Sequence, residues 1–129
     1  MLSGVYFSKL SRGRAFLPQM RGLEGTEAFW FLVSDTRREG TEELRILLKG
    51  GEEAPDGPYV KIVASGACKI SPKRLWTLPA AVQKALGTED CVWVGCGFFA
   101  ELMSASAFHE RLERELDGDP REYLKKFGL

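Results

Sequence analysis

The spacing of apolar residues changes character several times along the chain and is most regular between Leu78 and Phe108. Ala81, Val82, Ala85 and Leu86 fall on one side of two helical turns. Pro79 suits the first turn, where its missing N–H is not needed, and Gly87 suits the left-handed position that ends a helix. After Thr88, Glu89 and Asp90, the run Cys91-Val92-Trp93-Val94-Gly95-Cys96 is β-branched and aromatic and bounded by turn residues, so it predicts a strand. Residues 98–103 read as its hairpin partner across residues 95–97. A helix capped by Ser104 or Ser106 then places Phe108, Leu112, Glu115 and Leu116 three to four residues apart. Its outer face carries the mixed charges of Glu110, Arg111, Glu113 and Arg114. Asp117-Gly118 stops it. Asp119-Pro120-Arg121-Glu122 combines a cap, a first-turn proline and a capping-box glutamate, predicting a short last helix with Tyr123, Leu124 and Phe127 on one face.

Towards the N-terminus the pattern is extended. Residues 5–7 and 15–17 are strand-like and flank a basic turn, residues 8–14, that holds Gly13. Residues 27–33 form the most β-like run of this half, and residues 44–48 continue it after a charged, turn-rich connection. A helix over residues 41–49, capped by Thr41, is the other reading of that stretch; the abrupt Gly50-Gly51 end and the hairpin-sized loop before it favour a strand. Residues 50–58, rich in glycine, proline and acid, read as a linker between halves. Residues 59–64 read as a further strand, followed by a turn at Ser65-Gly66. The fold class expected is α+β, mostly β, with C-terminal helices.

Two segments share an order of residues. Ser8-Lys9-Leu10-Ser11-Arg12-Gly13-Arg14-Ala15-Phe16-Leu17-Pro18 is followed, after the linker, by Arg74-Leu75-Trp76-Thr77-Leu78-Pro79, a helix closing on Leu86-Gly87, a strand ending at Val94-Gly95, and a strand leading into a helix. This grammar resembles the AbrB/MazE swapped-hairpin class of transcription regulators, and within it the MraZ family, whose pattern is D-x-x-x-R, an apolar-proline step, a helix ending in Leu-Gly and two strands. Gly13, Arg14 and Arg74 are the literal matches. Leu10 and Ile70 stand where the family has aspartate, and Lys73 stands where it has glycine.

The resemblance implies a double-psi, swapped-hairpin AbrB-like barrel built from two pseudo-repeats. Residues 1–57 would be a divergent N-terminal half with its linker, and residues 58–129 a C-terminal half plus helices. It implies a DNA-binding transcriptional regulator and no enzyme. Double-stranded DNA would be the partner, together with further copies of the chain in a homo-oligomer or ring. Arg14 and Arg74 would be the motif arginines, with Lys9, Arg12 and Lys73 as neighbouring phosphate contacts. The alternative is a relative that has lost DNA binding and serves as an antitoxin-like or structural assembly module, in keeping with the missing aspartates.

Charge adds to this picture. The 129 residues carry 18 basic and 18 acidic side chains, a net charge of zero, yet the signs are segregated. Residues 1–23 hold Lys9, Arg12, Arg14 and Arg21 with no acid, and residues 58–88 hold Lys61, Lys69, Lys73, Arg74 and Lys84 with none. A neutral protein can thus present a positive face, and that face coincides with both repeat loops. An apolar content of 44% is ordinary for a globular domain, no apolar run is long enough to span a membrane, and the first residues lack signal-peptide order. The expected location is the cytoplasm, on the nucleoid if DNA is bound. Cys68, Cys91 and Cys96 read as buried free thiols.

Catalytic patterns are missing from the sequence. His109 is the sole histidine and has no partner at fixed spacing, and Cys91 and Cys96 fall on opposite faces of a strand, so neither predicts a metal site. Gly95-Cys96-Gly97 lacks the helix-opening glycine of a dinucleotide fingerprint, so no cofactor is expected. Trp76, beside Arg74, reads as a core residue in preference to a base-stacking one.

Overall fold

The computed structural model describes residues 4–18, 27–36, 42–97 and 99–115, with side chains as far as residue 113. Its strands come in two groups of four. β1 (Val5–Lys9), β2 (Arg14–Phe16), β3 (Glu27–Asp35) and β4 (Glu43–Lys49) precede the 50–58 connection; β5 (Val60–Lys69), β6 (Leu75–Thr77), β7 (Asp90–Gly95) and β8 (Ala100–Ser104) follow it. Helix α1 (Ala80–Leu86) lies between β6 and β7, and α2 (Ala105–Glu115) follows β8. The chain is thus mostly β. The last helix expected near Pro120, the segment after Pro18 and Phe98 lie outside the described residues.

Six strands make one open antiparallel sheet in the order β1-β7-β8-β4-β3-β5, while β2 and β6 pair as a separate ribbon. Exchanging each strand of the first group for its counterpart in the second reverses this order and leaves it otherwise unchanged. The register obeys the same exchange. Trp30 lies opposite Leu48 and Gly66, and Trp93 lies opposite Leu102 and Tyr6. The pair Leu48–Ala100 is carried onto Leu102–Ile46, and the pair Leu47–Glu101 onto itself. A pseudo-twofold axis therefore passes between Leu47 and Glu101. The first two strands of each group pair with the other group: β1 with β7, β5 with β3, and β2 with β6. Each group's own last two strands form a hairpin, β3 with β4 and β7 with β8.

The ribbon and α1 cover one face of the sheet, where Leu17, Trp30, Leu48, Trp76, Val82, Leu86, Trp93 and Leu102 form the main core. Helix α2 covers part of the other face, laying Phe108 and Leu112 over Val92, Val94 and Met103. Helix α1 forms where its local signals predict. Pro79 takes the N-cap position, Gly87 ends the helix at φ 70°, and Val82 and Leu86 are buried. Ser104 is the cap of α2, its Oγ accepting the Ala107 N–H at 3.1 Å. Residues 43–49 are a strand, as the Gly50-Gly51 end indicates.

One local prediction fails. No turn forms at Ser65-Gly66; β5 runs straight through it to Lys69. Gly66 sits opposite Trp30, and a Cβ there would lie 2.8 Å from the indole Nε1, so the glycine serves a close approach between strands. Where β5 does deviate is Val63, the extra residue of a bulge opposite Leu32 and Val33, whose side chain is exposed.

Candidate nucleic-acid interface

The ribbon is built from two tight turns that the sequence encodes differently. In residues 11–14 the Ser11 and Arg14 backbones exchange both hydrogen bonds at 3.0 Å, with Arg12 at φ 54° and Gly13 at φ 73°. Positive φ at both central positions is the primed turn whose twist matches flanking strands. Gly13 is needed twice over, since a Cβ there would also stand 3.0 Å from Gln83 Nε2, which donates to the Leu78 carbonyl at 2.8 Å. In the second turn the Arg74 N–H donates to Ser71 O (2.8 Å) and the Ser71 N–H to Leu75 O (3.0 Å). Pro72 presets the turn's first φ, and Arg74 takes the left-handed bulge position at φ 64°, where glycine is the unstrained occupant.

Between the turns, Arg14 pairs with Thr77, Ala15 with Trp76 and Phe16 with Leu75. The ladder continues outward through Leu78 N–H to Gly13 O (2.9 Å) and Leu17 N–H to Arg74 O (2.7 Å). The turns consequently lie at opposite ends of the ribbon, and Arg14 is about 10 Å along it from the Leu17–Arg74 end at ~3.3 Å per residue. Residue alternation sorts the faces. Ala15 and Trp76 point into the core, where Trp76 meets Trp93 at 6.3 Å between ring centroids. Arg14, Phe16, Leu75 and Thr77 share the outer face. Trp93 Nε1–H donates to the Phe16 carbonyl at 3.1 Å and ties the ribbon to the sheet.

Of the basic residues singled out from sequence, Arg12, Arg14, Lys73 and Arg74 all belong to this ribbon, with Arg12, Arg14 and Lys73 exposed and Arg74 partly buried. Lys9 is placed differently. It ends β1 opposite Asp90, and the next residue, Leu10, donates its N–H to Glu89 O. Its cross-strand neighbour is therefore acidic. Trp76 is 2% exposed and unavailable to a base, as its core reading requires. Phe16, which sequence reasoning passed over, is exposed beside the arginines. The two-residue period of Arg14-Ala15-Phe16, with small Ala15 inward, is the signal that places it there.

The remaining reactive groups are quiet. Burial pushes the thiols of Cys68, Cys91 and Cys96 up to about 11, with the charges of Asp90 and Glu101 adding to the effect at Cys91 and Cys96 respectively. At neutral pH all three are protonated and poor nucleophiles. Cys68 and Cys91 are buried as expected, whereas Cys96 is only partly so. His109 is exposed and touches the Phe108 ring edge-on. Among the described residues no group of three His, Cys, Asp or Glu side chains converges as a metal site would. Ser34 donates to Glu42 at 2.7 Å in an open hollow at the start of β5, and none of the described residues that line it is a histidine. No helix among the described residues is long and apolar enough to cross a membrane.

The charged cluster inside the molecule is structural. Glu101, 1% exposed, accepts from Arg45 at 2.6 and 3.1 Å and pairs with Arg111 at 2.9 Å, while Arg45 also donates to Asp35 at 2.9 Å. Burial by itself would lower the Arg45 pKa; the hydrogen bonds and charges of Glu101 and Asp35 more than offset this and hold it above the ordinary guanidinium value. The network joins β3, β4, β8 and α2. Comparison with protein-family models, curated proteins and solved structures finds no match for this chain.

Proposed function

We propose that this protein is a DNA-binding transcriptional regulator of the MraZ type, within the AbrB/MazE swapped-hairpin class, and that the β2–β6 ribbon is its contact surface. The observation that carries the reading is the meeting of the two resembling segments. Their turns, far apart in sequence, cap opposite ends of one exposed ribbon whose residues 11–17 and 71–78 include four cations and no carboxylate. The pairing of each group's first two strands with the other group supports this reading. A two-stranded ribbon is also of a size that the major groove admits. In this role Arg14 forks onto a base edge or phosphate, and Arg12, Lys73 and Arg74 add phosphate contacts. Lys9 contributes least, because Asp90 lies across from it. The protein acts in the cytoplasm as an assembly of several copies, without catalysis.

A second reading, an assembly or partner-binding module without DNA, draws support from the exposed Phe16 and from the zero net charge. Fluorescence anisotropy with labelled duplex from upstream of the protein's own gene and with random duplex, each across a salt series, separates the two. The DNA reading expects log affinity to fall with log salt by about 0.9 per phosphate contact. It also expects Arg14→Ala to cost about 1–3 kcal/mol on the upstream duplex if the side chain meets a base. Absence of binding at low salt would leave the partner-binding reading standing.

A further inference from the structure

The outer face of the ribbon carries an apolar pair that phosphate binding leaves unused. Phe16 is 49% exposed, and Leu75, directly across the ladder, is partly exposed on the same side. The ring has no route into the core. Ala15 and Trp76 occupy the inward positions of the adjacent pair, the Phe16 carbonyl is held by Trp93 Nε1, and the Leu17 N–H that follows is bonded to Arg74 O. The ring is thus presented outward from a backbone anchored on both sides, at little entropic cost for a partner that meets it. One pair along the same face stand Arg14 and Thr77, and cationic turns lie beyond each end.

Charge decides which partner this apolar spot fits. A protein surface that covered Phe16 would also meet Arg12, Arg14 and Lys73 with no carboxylate on the ribbon to balance them. A nucleic acid balances them with its phosphates. In the major groove the apolar feature on base edges is the thymine C5-methyl, and the acceptors that suit an arginine fork are guanine N7 and O6.

We propose that Phe16 and Leu75 form a thymine-methyl contact, so that the ribbon distinguishes thymine from its demethylated equivalent at the base next to the one Arg14 reaches. This rests on the DNA-binding reading above and adds a base-specific element to it. Burying one methyl is worth about a fourfold change in affinity.

The test uses the intact protein and three probes: a labelled duplex from upstream of its gene, the same duplex with every thymine replaced by uracil, and the single strand of the thymine form. Wild type is expected to bind the uracil duplex about fourfold more weakly for each methyl contacted. Phe16→Ala is expected to bind the thymine duplex more weakly than wild type and to lose the thymine preference. It should keep the salt dependence of wild type, since the phosphate contacts are untouched. Phe16→Met, which retains apolar bulk, is expected to keep part of the preference, and circular dichroism should show all three proteins equally folded. Equal affinity of wild type for thymine and uracil duplexes, a full thymine preference surviving in Phe16→Ala, or tighter binding of the single strand would each overturn the contact while leaving salt-dependent duplex binding intact. Absence of salt-dependent binding to any duplex would instead overturn the DNA reading, and this contact with it.

Discussion

At the scale of single residues the informative positions are those whose backbone is unusual. Arg12 occupies a left-handed conformation at φ 54°, which costs a non-glycine residue roughly 1–2 kcal/mol. Asparagine at that position would form Asn-Gly with Gly13, the pair such turns favour. Arg12→Asn is therefore expected to raise the urea-unfolding free energy by about 1 kcal/mol. If the arginine is retained for phosphate binding, the same variant should reduce the salt slope on duplex DNA by about 1. A variant both more stable and unchanged in DNA binding would show that the strain at Arg12 serves nothing on the ribbon. Phe16 belongs to the same scale. Its exposure follows from alternation along β2, and neighbouring Arg14 is legible for the same reason.

Elements differ in how locally they are specified. Helix α1 carries its own start, apolar face and stop within residues 79–87, and the structure follows them. β5 does not. Gly66 looks like a turn to any local reading because glycine has no strand preference, and what keeps the strand running is Trp30 on β3, whose indole crosses the glycine. Gly66→Ala would push a Cβ to 2.8 Å from the indole nitrogen of Trp30, a buried side chain. The cost is expected to be about 1–3 kcal/mol, typical of an overpacked core, read as a lowered urea midpoint with unchanged slope. The ribbon sits between these cases. Its turns are locally encoded, while its pairing and its attachment through Trp76 and Trp93 depend on distant residues.

At the scale of the whole molecule the pseudo-twofold axis meets a chemical asymmetry. The axis passes between Leu47 and Glu101, so a buried carboxylate stands where its counterpart is a leucine. Glu101 pairs with Arg45 from β4 and Arg111 from α2, and this ties the C-terminal helix to the centre of the sheet. Glu101→Gln removes the charge while keeping the shape and leaves two guanidiniums sharing Asp35 and, at 3.8 Å, Glu43. Breaking a buried pair from one side costs about 3–5 kcal/mol. Urea unfolding is expected to register a loss near the lower limit, and hydrogen exchange should show α2 opening before the sheet. A change under 1 kcal/mol would mean that the cluster is hydrated and weak.

The sequence by itself determined the elements whose instructions are short-range: α1 with its proline and glycine ends, a serine cap for α2 at residue 104 or 106, the β7–β8 hairpin and the basic turn that holds Gly13. Periodicity and capping act over a few residues, so they can be read without knowing the fold. Tertiary structure alone decided which strands meet. The pairing of β1 with β7, of β5 with β3 and of β2 with β6 joins segments tens of residues apart, and no local pattern names the partner. It also decided that Lys9 faces Asp90 while Arg14 shares a surface with Phe16, and that Asp35, Arg45, Glu101 and Arg111 come together from β3, β4, β8 and α2. Long-range pairing is chosen by the joint burial of Trp30, Trp76, Trp93 and their neighbours, a property of the assembled core and of none of its segments taken singly.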